Sequence, residues 1–208
     1  LAQARQCDPK FAVFGASHHR YEVGPPMDLT AIAEFETGLG IKLPVEYAAF
    51  LTQVGHATLT GRPAAGPFYG IAPLTNTKSC LGGKNGLNRM PVVRPNMSGV
   101  DWAEETEWFQ QDHETLSDAA YDEAHMREME RLYGGLLTLG FQGCQSHSAL
   151  LVTGPHKGRV VNIDTEGHKP CFAPDANFLD WYERWLDEII AGKLLTPQET
   201  WFGYEKTV

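Results

Sequence analysis

Three histidines in the second half of the sequence have the chemistry to hold a metal ion. His147, His156 and His168 lie around short apolar runs, where the loops of a sheet could converge. Zinc binds imidazole readily, so three such loops could supply its protein ligands. The spacing of these histidines matches no ligand pattern of known zinc sites, however, and histidines in exposed loops are common. We therefore predict no metal site in this protein.

Two further pairs of residues have types suited to catalysis. Asp122 and His125 stand three positions apart on one face of a predicted helix, as in one half of a dinuclear metal site. Such a site needs a matching pair on a second helix, and the sequence shows none. Cys144 and His147 could act as nucleophile and base, but the sequence places no third group beside them to orient the histidine. Neither pair predicts an active site.

Sequence motifs that mark common active sites are missing. The sequence has no Gly-x-Ser-x-Gly elbow, no Gly-x-x-x-x-Gly-Lys-Ser/Thr phosphate loop, no dinucleotide fingerprint and no His-Glu-x-x-His pair. Residues 82–86 are glycine-rich, but no strand pattern precedes them and no helix pattern follows, so we interpret them as a turn. We predict that the protein is not an enzyme and binds no cofactor.

The four cysteines are too widely spaced for a zinc site or for a redox-active Cys-x-x-Cys pair. They are Cys7, Cys80, Cys144 and Cys171. Because unpaired cysteine is among the most buried residue types, we expect buried free thiols and a small core residue at Cys144.

The negative charge of the protein is concentrated in one segment. The 208 residues include 26 acidic and 17 basic side chains, which give a net charge of −9. Residues 101–131 contain eleven acidic side chains and two arginines, so this segment alone carries a net charge of −9. Charge runs of this kind are most often solvated helix faces. The alternative is a docking surface, which would attract a basic protein and repel the phosphate backbone of nucleic acids.

Two helices are predicted in this acidic insertion, which we place at residues 100–134. The predicted helices span residues 102–111 and 117–133. In the second helix an inward stripe is expected, formed by Tyr121, Ala124, His125, Met129 and Leu132. The candidate contacts with a protein partner, chosen by charge clustering, are Glu104, Glu105, Asp112, Glu114, Asp118, Asp122 and Glu123. No nucleic-acid partner is expected.

The first half of the sequence predicts two short amphipathic helices. Asp28 is a suitable N-cap for the first helix, which ends near Gly38. Pro44 suits the first turn of the second helix, which ends at Gly55.

Two other stretches predict irregular structure. Residues 1–10 are interpreted as a loose terminus. Residues 75–99 are rich in Gly, Asn and Pro and predict a long loop with at most one short strand, near Val92.

The second half predicts an antiparallel sheet followed by a closing helix. Short aliphatic runs at residues 136–139, 149–153 and 160–163 are separated by Gly and Pro, as is typical of a meander. Asn177 is a suitable cap for the last helix, and Gly192 ends it. The apolar residues of this helix follow helical spacing and are Phe178, Trp181, Tyr182, Trp185, Leu186 and Ile189.

Short blocks of core and turn residues, in both halves of the chain, carry a family resemblance. They are Phe35-Glu36, Leu43-Pro44-Val45-Glu46-Tyr47, Phe50-Leu51, Gly55, Gly66-Pro67-Phe68-Tyr69-Gly70-Ile71, Gly140-Phe141-Gln142-Gly143-Cys144, Leu150-Leu151-Val152-Thr153-Gly154, Gly158-Arg159-Val160-Val161 and Phe178-Leu179-Asp180-Trp181-Tyr182. In order and spacing these blocks resemble the SUKH superfamily, which holds a fungal cell-wall-assembly regulator and many bacterial immunity proteins. Residues 56–63 depart from the family, which usually has a short Gly-rich link there.

The resemblance implies a non-enzymatic protein-binding module. In bacteria such proteins typically neutralise a cognate toxin by steric and electrostatic occlusion. A nuclease toxin would suit the acidic insertion, because a nuclease needs a cationic site for its polyanionic substrate. The alternative, implied by the fungal member, is a regulatory scaffold or adaptor with several weak partners.

The predicted elements combine into a single α+β domain over residues 1–208. We expect a twisted antiparallel sheet, with the N-terminal helices and the C-terminal aromatic helix packed around it, and the acidic helical insertion in addition. No segment approaches the ~18 consecutive apolar residues of a membrane span. The first five residues also lack the apolar region of a secretory signal. We therefore expect no membrane partner and a cytoplasmic protein, or one whose leader has been removed.

Overall fold

A four-stranded antiparallel sheet lies at the centre of the computed structural model, which describes residues 1–58, 60–74, 80–196 and 201–205. The strands lie side by side in chain order, as a meander. They are β1 (Leu136–Gly143), β2 (Ser146–Leu151), β3 (Val160–Asp164) and β4 (Cys171–Phe172). The α+β fold and the antiparallel sheet are confirmed, whereas the short edge strand β4 had no signal in the sequence.

The described residues form eight α-helices. They are α1 (Ala2–Cys7), α2 (Ala16–His19), α3 (Leu29–Leu39), α4 (Val45–Ala49), α5 (Gly83–Gly86), α6 (Gly99–Glu105), α7 (Asp118–Leu132) and α8 (Phe178–Ile190). A π-helical turn, Phe50–Val54, continues α4 up to Gly55. Short 3-10 helices, Glu107–Gln110 and Lys193–Leu195, follow α6 and α8.

Apolar side chains cover both faces of the sheet. On one face, Leu150 belongs to the core that includes α8 and the N-terminal helices. On the other face, Leu151 packs in a second core with Trp102 of α6 and Leu132 of α7. Strands buried on both faces consist of nearly continuous apolar runs, which explains why the aliphatic runs of the sequence do not alternate with polar residues. The acidic insertion therefore forms one of the two covers of the sheet.

The closing helix α8 supplies the largest aromatic side chains of the first core. Asn177 caps it as predicted, because its side-chain oxygen accepts a hydrogen bond of 3.1 Å from the Asp180 N–H. Phe178, Trp181 and Trp185 are almost completely buried. Each such side chain contributes roughly 1.5–3 kcal/mol by leaving water, before conformational costs. The predicted role of α8 in covering the sheet is confirmed.

The two predicted N-terminal helices are present as α3 and α4. The Asp28 carboxylate caps α3 by accepting a hydrogen bond of 2.7 Å from the Thr30 N–H. Gly40 ends that helix in the left-handed conformation, which glycine adopts without strain. Pro44 precedes α4, and the Gly55 N–H donates to the Phe50 carbonyl where the helix ends.

The prediction of a loose terminus at residues 1–10 is wrong. The first residues form α1, which packs against α8, and its Ala4 side chain is fully buried. Asp8 follows the helix and is only 1% exposed. Its carboxylate accepts a hydrogen bond of 2.7 Å from the Tyr21 hydroxyl and two more from backbone N–H groups. These bonds satisfy the buried carboxyl group and hold the terminus in place. No local sequence pattern predicts them.

The predicted long loop at residues 75–99 is irregular for most of its described length. Residues 75–79 lie outside the described part of the chain. The rest includes the short helix α5, which packs on α7, and the side chains of Leu87 and Val93 are each only 1% exposed. This stretch therefore adds to the two cores.

Candidate protein-binding surface

The acidic insertion consists of α6, the 3-10 helix Glu107–Gln110 and α7, and we call it the acidic arm. Ser98 begins α6 with a reciprocal capping box, in which its hydroxyl accepts from the Asp101 N–H and the Asp101 carboxylate accepts from the Ser98 N–H. Ser117 caps α7 by accepting a hydrogen bond from the Ala120 N–H. The two predicted acidic helices are confirmed, with a break near Thr106.

Buried side chains at the base of the arm fasten it to the sheet. Leu132 is 1% exposed, and the Trp102 Nε1–H donates a hydrogen bond of 2.7 Å to the Gly167 carbonyl. The Tyr133 hydroxyl donates to the Asp164 carbonyl at 3.1 Å, and burial raises the pKa of this hydroxyl to about 12. The base is therefore a fixed part of the fold.

The outer half of α7 does not pack inward as predicted. Tyr121 is 39% exposed, and of the expected inward stripe only Leu132 is fully buried. Tyr121 instead stacks on Trp108, with 5.8 Å between ring centroids. Tyr121 therefore contacts the 3-10 helix of the arm and not the apolar core of the sheet.

An aromatic cluster joins the helices of the arm to one another. It is formed by Trp108, Phe109, His113, Tyr121 and His125. The rings of Trp108 and His113 stack at 4.3 Å, and Phe109 meets His125 edge-on at 5.6 Å. Aromatic pairs of this kind each stabilise by ~0.5–1.5 kcal/mol beyond their buried area. The cluster gives the arm a defined shape without a large core.

Four of the eleven acidic residues of the segment make ion pairs within the protein. Glu105, one of the predicted contacts, accepts a hydrogen bond of 2.7 Å from Arg131 and lies 3.9 Å from Arg94. The others are Asp101 with Arg94, Glu128 with Arg131 and Glu130 with Arg89. Burial acts to lower the pKa of Arg131, but its bonds to Glu128 and Glu105 outweigh this effect and raise the pKa. Glu105 therefore holds the arm together and is less available to a partner.

The other seven acidic side chains of the segment are exposed and make no ion pair within the described residues. They are Glu104, Glu107, Asp112, Glu114, Asp118, Asp122 and Glu123. Six of them were predicted as contacts. Glu107 was missed, although its place beside Trp108 could have identified it. Exposed apolar residues lie among these charges, including Leu116 and Met126, which is 64% exposed. The arm thus combines a charged exterior with apolar contact area.

A cavity of about 430 Å³ lies at the base of the arm. It lies between the 3-10 helix, α7 and the loop after β3, and its walls include Phe109, Gln110, His125, Met129 and Glu166. Phe109 and His125 also belong to the aromatic cluster, so the cavity and the cluster are continuous. These lining residues are far apart in the sequence, which is why sequence reasoning missed the cavity.

Two of the three histidines considered for a metal site contact other side chains. His168 bonds the Asp164 carboxylate at 3.0 Å, and the His147 ring packs on Phe141, where burial lowers its pKa. Among the described residues, no group of three His, Cys, Asp or Glu side chains is arranged to hold a metal ion. The prediction of a buried thiol at Cys144 is wrong. This residue is exposed, in the tight turn between β1 and β2, where its φ of 50° fits the turn.

A second surface of exposed rings lies apart from the acidic arm. Phe14, Phe141 and Trp201 are 50%, 44% and 51% exposed. Tyr69 connects two of them, with ring centroids 5.4 Å from Phe14 and 5.8 Å from Phe141, and Trp201 lies 5.2 Å from Phe14. We call these four residues the aromatic ridge. Large exposed aromatic clusters are typical of interaction sites.

Comparison of the chain with protein-family models, with curated proteins and with solved structures finds no match. In the described residues, no helix combines the length and the apolar character needed to cross a membrane.

Proposed function

We propose that the protein is a non-enzymatic binding module that holds a basic protein partner against its acidic arm. The observation that carries this proposal is the set of seven exposed carboxylates that make no ion pair within the described residues, on the same arm as the aromatic cluster. Opposite charge speeds the encounter with a partner and selects against wrong ones. Aromatic side chains at the centre of an interface supply much of the affinity. The arm contains both features.

The resemblance to the SUKH superfamily supports a specific version of this proposal. In that version the protein is a cytoplasmic immunity protein that occludes a cognate toxin, with a nuclease as the best-fitting class. A cationic nuclease site would meet the carboxylates of the arm, and the bound arm would exclude the nucleic acid by its bulk and its charge.

The test compares two triple variants with equal change of charge. The first, E104Q/D122N/E123Q, neutralises three exposed carboxylates of the arm. The control, E34Q/E183Q/D187N, neutralises three exposed carboxylates on α3 and α8 that make no side-chain ion pair within the described residues.

The assay measures binding to, and inhibition of, a toxin encoded beside this protein's gene, at several salt concentrations. We expect the arm variant to slow association by about tenfold at low salt, and the control to behave as the unmodified protein. The proposal would be contradicted if the arm variant inhibited the toxin as well as the unmodified protein does. It would also be contradicted if the unmodified protein at micromolar concentration did not inhibit the toxin.

The aromatic ridge favours a second candidate function, an adaptor with several weak partners. A second exposed aromatic surface would allow two partners to be held at once. In that case the substitution F141S should weaken one set of partners, while the triple arm variant weakens another.

A further inference from the structure

The cavity at the base of the acidic arm has the lining of a pocket for one long, cationic side chain. Its volume of about 430 Å³ far exceeds the space of a few water molecules. Phe109, Met129 and Leu132 form apolar walls. Glu166 also lines the cavity, and its side chain is 62% exposed, so we place it towards the mouth; its Oε2 lies 4.0 Å from Nδ1 of His168.

Charge restricts what can occupy the cavity. Glu166 lies at the mouth, and the outer surface of the arm carries the seven unpaired carboxylates described above. The deeper polar groups nearby are already engaged, because Gly167 accepts from Trp102 and Tyr133 donates to Asp164. An occupant therefore needs an apolar stem for the walls and a positive head for the mouth.

Arginine fits this description better than lysine does. Its planar guanidinium stacks on aromatic faces and is more weakly hydrated than an ammonium group, so it loses less on entering a half-apolar site. Phe109 and His125 line the cavity with their ring planes perpendicular to each other, so a guanidinium can stack on one ring of this pair.

The protein already uses the same arrangement internally. Arg184 places its guanidinium carbon 4.2 Å from the centroid of the Phe202 ring while it binds both carboxylate oxygens of Asp175 at 2.8 Å. Burial acts to lower the pKa of Arg184, but these acidic neighbours raise it. Ring and carboxylate together thus hold an arginine in a partly buried place.

We propose that this cavity receives an arginine side chain of the basic partner, a proposal that rests on the function proposed above. The arginine stem lies along Met129, its guanidinium stacks on the Phe109 ring, and the Glu166 carboxylate accepts its hydrogen bonds. The seven outer carboxylates guide the partner, and the cavity selects arginine over lysine at one position.

The experiment uses the full chain and two peptides, acetylated hexa-arginine amide and acetylated hexa-lysine amide, in calorimetric titrations at physiological ionic strength. The variant Q110W fills the cavity from the exposed 3-10 helix without changing the net charge. The variant E166Q removes the carboxylate at the mouth. The matched controls are Q3W on α1 and E34Q on α3, and thermal melts confirm that each variant is folded.

We expect hexa-arginine to bind about tenfold more tightly than hexa-lysine, because the stacking contribution is specific to the guanidinium. Q110W and E166Q should each reduce this preference, and Q3W and E34Q should leave it unchanged. In the unmodified protein, the methyl resonance of Met129 should shift with the arginine peptide and much less with the lysine peptide. This measurement requires no substitution.

Equal binding of the two peptides would overturn the inference, as would an arginine preference that survives Q110W. Binding of both peptides without preference would leave the proposed function standing, because the acidic arm alone explains it. Conversely, the peptides could show an arginine preference while the triple arm variant still inhibits the toxin fully. That pair of results would refute the proposed function and leave the arginine cavity standing.

Discussion

Arg131 links α6 to α7 at the base of the acidic arm, and the substitution R131M tests how much this link stabilises the arm. Its guanidinium donates to the Glu128 and Glu105 carboxylates, both at 2.7 Å, and to the Glu105 backbone carbonyl. Methionine keeps most of the apolar stem and removes all three hydrogen bonds. The change therefore removes the two bonds that link α7 to Glu105 of α6, together with one ion pair within α7.

The expected loss of local stability in R131M follows from the exposure of the Arg131 side chain. The Arg131 side chain is 38% exposed, so each of its ion pairs contributes only ~0.2–1 kcal/mol. The charged hydrogen bond to the backbone carbonyl adds ~1.5 kcal/mol, the lower end of the usual range. The arm should lose about 2–3.5 kcal/mol of local stability, while the sheet and α8 keep theirs.

Amide hydrogen exchange followed by mass spectrometry measures this loss segment by segment. Faster exchange is expected in α6 and in the last turns of α7, with little change in β2 and α8. The control is R127M, one turn earlier on α7, which removes the same charge from an exposed arginine without an ion pair in the described residues. Equal acceleration in R127M and R131M would refute the role of the three hydrogen bonds.

Two further predictions concern the core. His19 is 1% exposed, and burial, together with the neighbouring His18, lowers its pKa from 6.5 to about 4. Between these two pH values the unfolded chain binds a proton at His19 that the folded chain does not. The free energy of unfolding should therefore fall by up to about 3 kcal/mol as the pH drops. Urea titrations measure this, and H19N should flatten the dependence on pH. In G140A the new Cβ would lie 2.2 Å from the Gly70 carbonyl oxygen. We therefore expect the free energy of unfolding to fall by about 2 kcal/mol or more in the same titrations. The control G99A, with open space around its Cβ, should leave it unchanged. Unchanged stability in G140A would show that the backbone at Gly70 can move away.

Local patterns made much of the fold predictable. The cap at Asn177 and the apolar spacing of α8 lie within a few residues of one another, and such signals survive in the folded chain. The capping of α3 by Asp28 and the aliphatic runs of β1, β2 and β3 are of the same kind. Each of these predictions depended on neighbours in sequence.

The errors arose where distant residues decide the outcome. Asp8 holds the N-terminus through Tyr21, and Glu105 is engaged by Arg131, 26 positions away. A count of charges shows neither the pairing of Glu105 nor the cavity beside Phe109. Cys144 is exposed because a two-residue turn places it there, although its type is usually buried. Charge clustering located the arm, but only the coordinates separate its seven open carboxylates from its four engaged ones.

The two ends of the acidic arm differ in what they can tolerate over evolutionary time. Removing the base of the arm would expose Leu151 and Val161, on one face of the sheet, to water. A chain shortened in this way would be prone to aggregate. The side chains from Ser117 to Glu123, at the tip, are all exposed, although Ser117 caps α7 and Tyr121 stacks on Trp108. The other residues of the tip can therefore be substituted at little cost in stability. If the arm holds a protein partner as proposed, substitutions at the tip would change the contact surface and leave the sheet and its two cores intact.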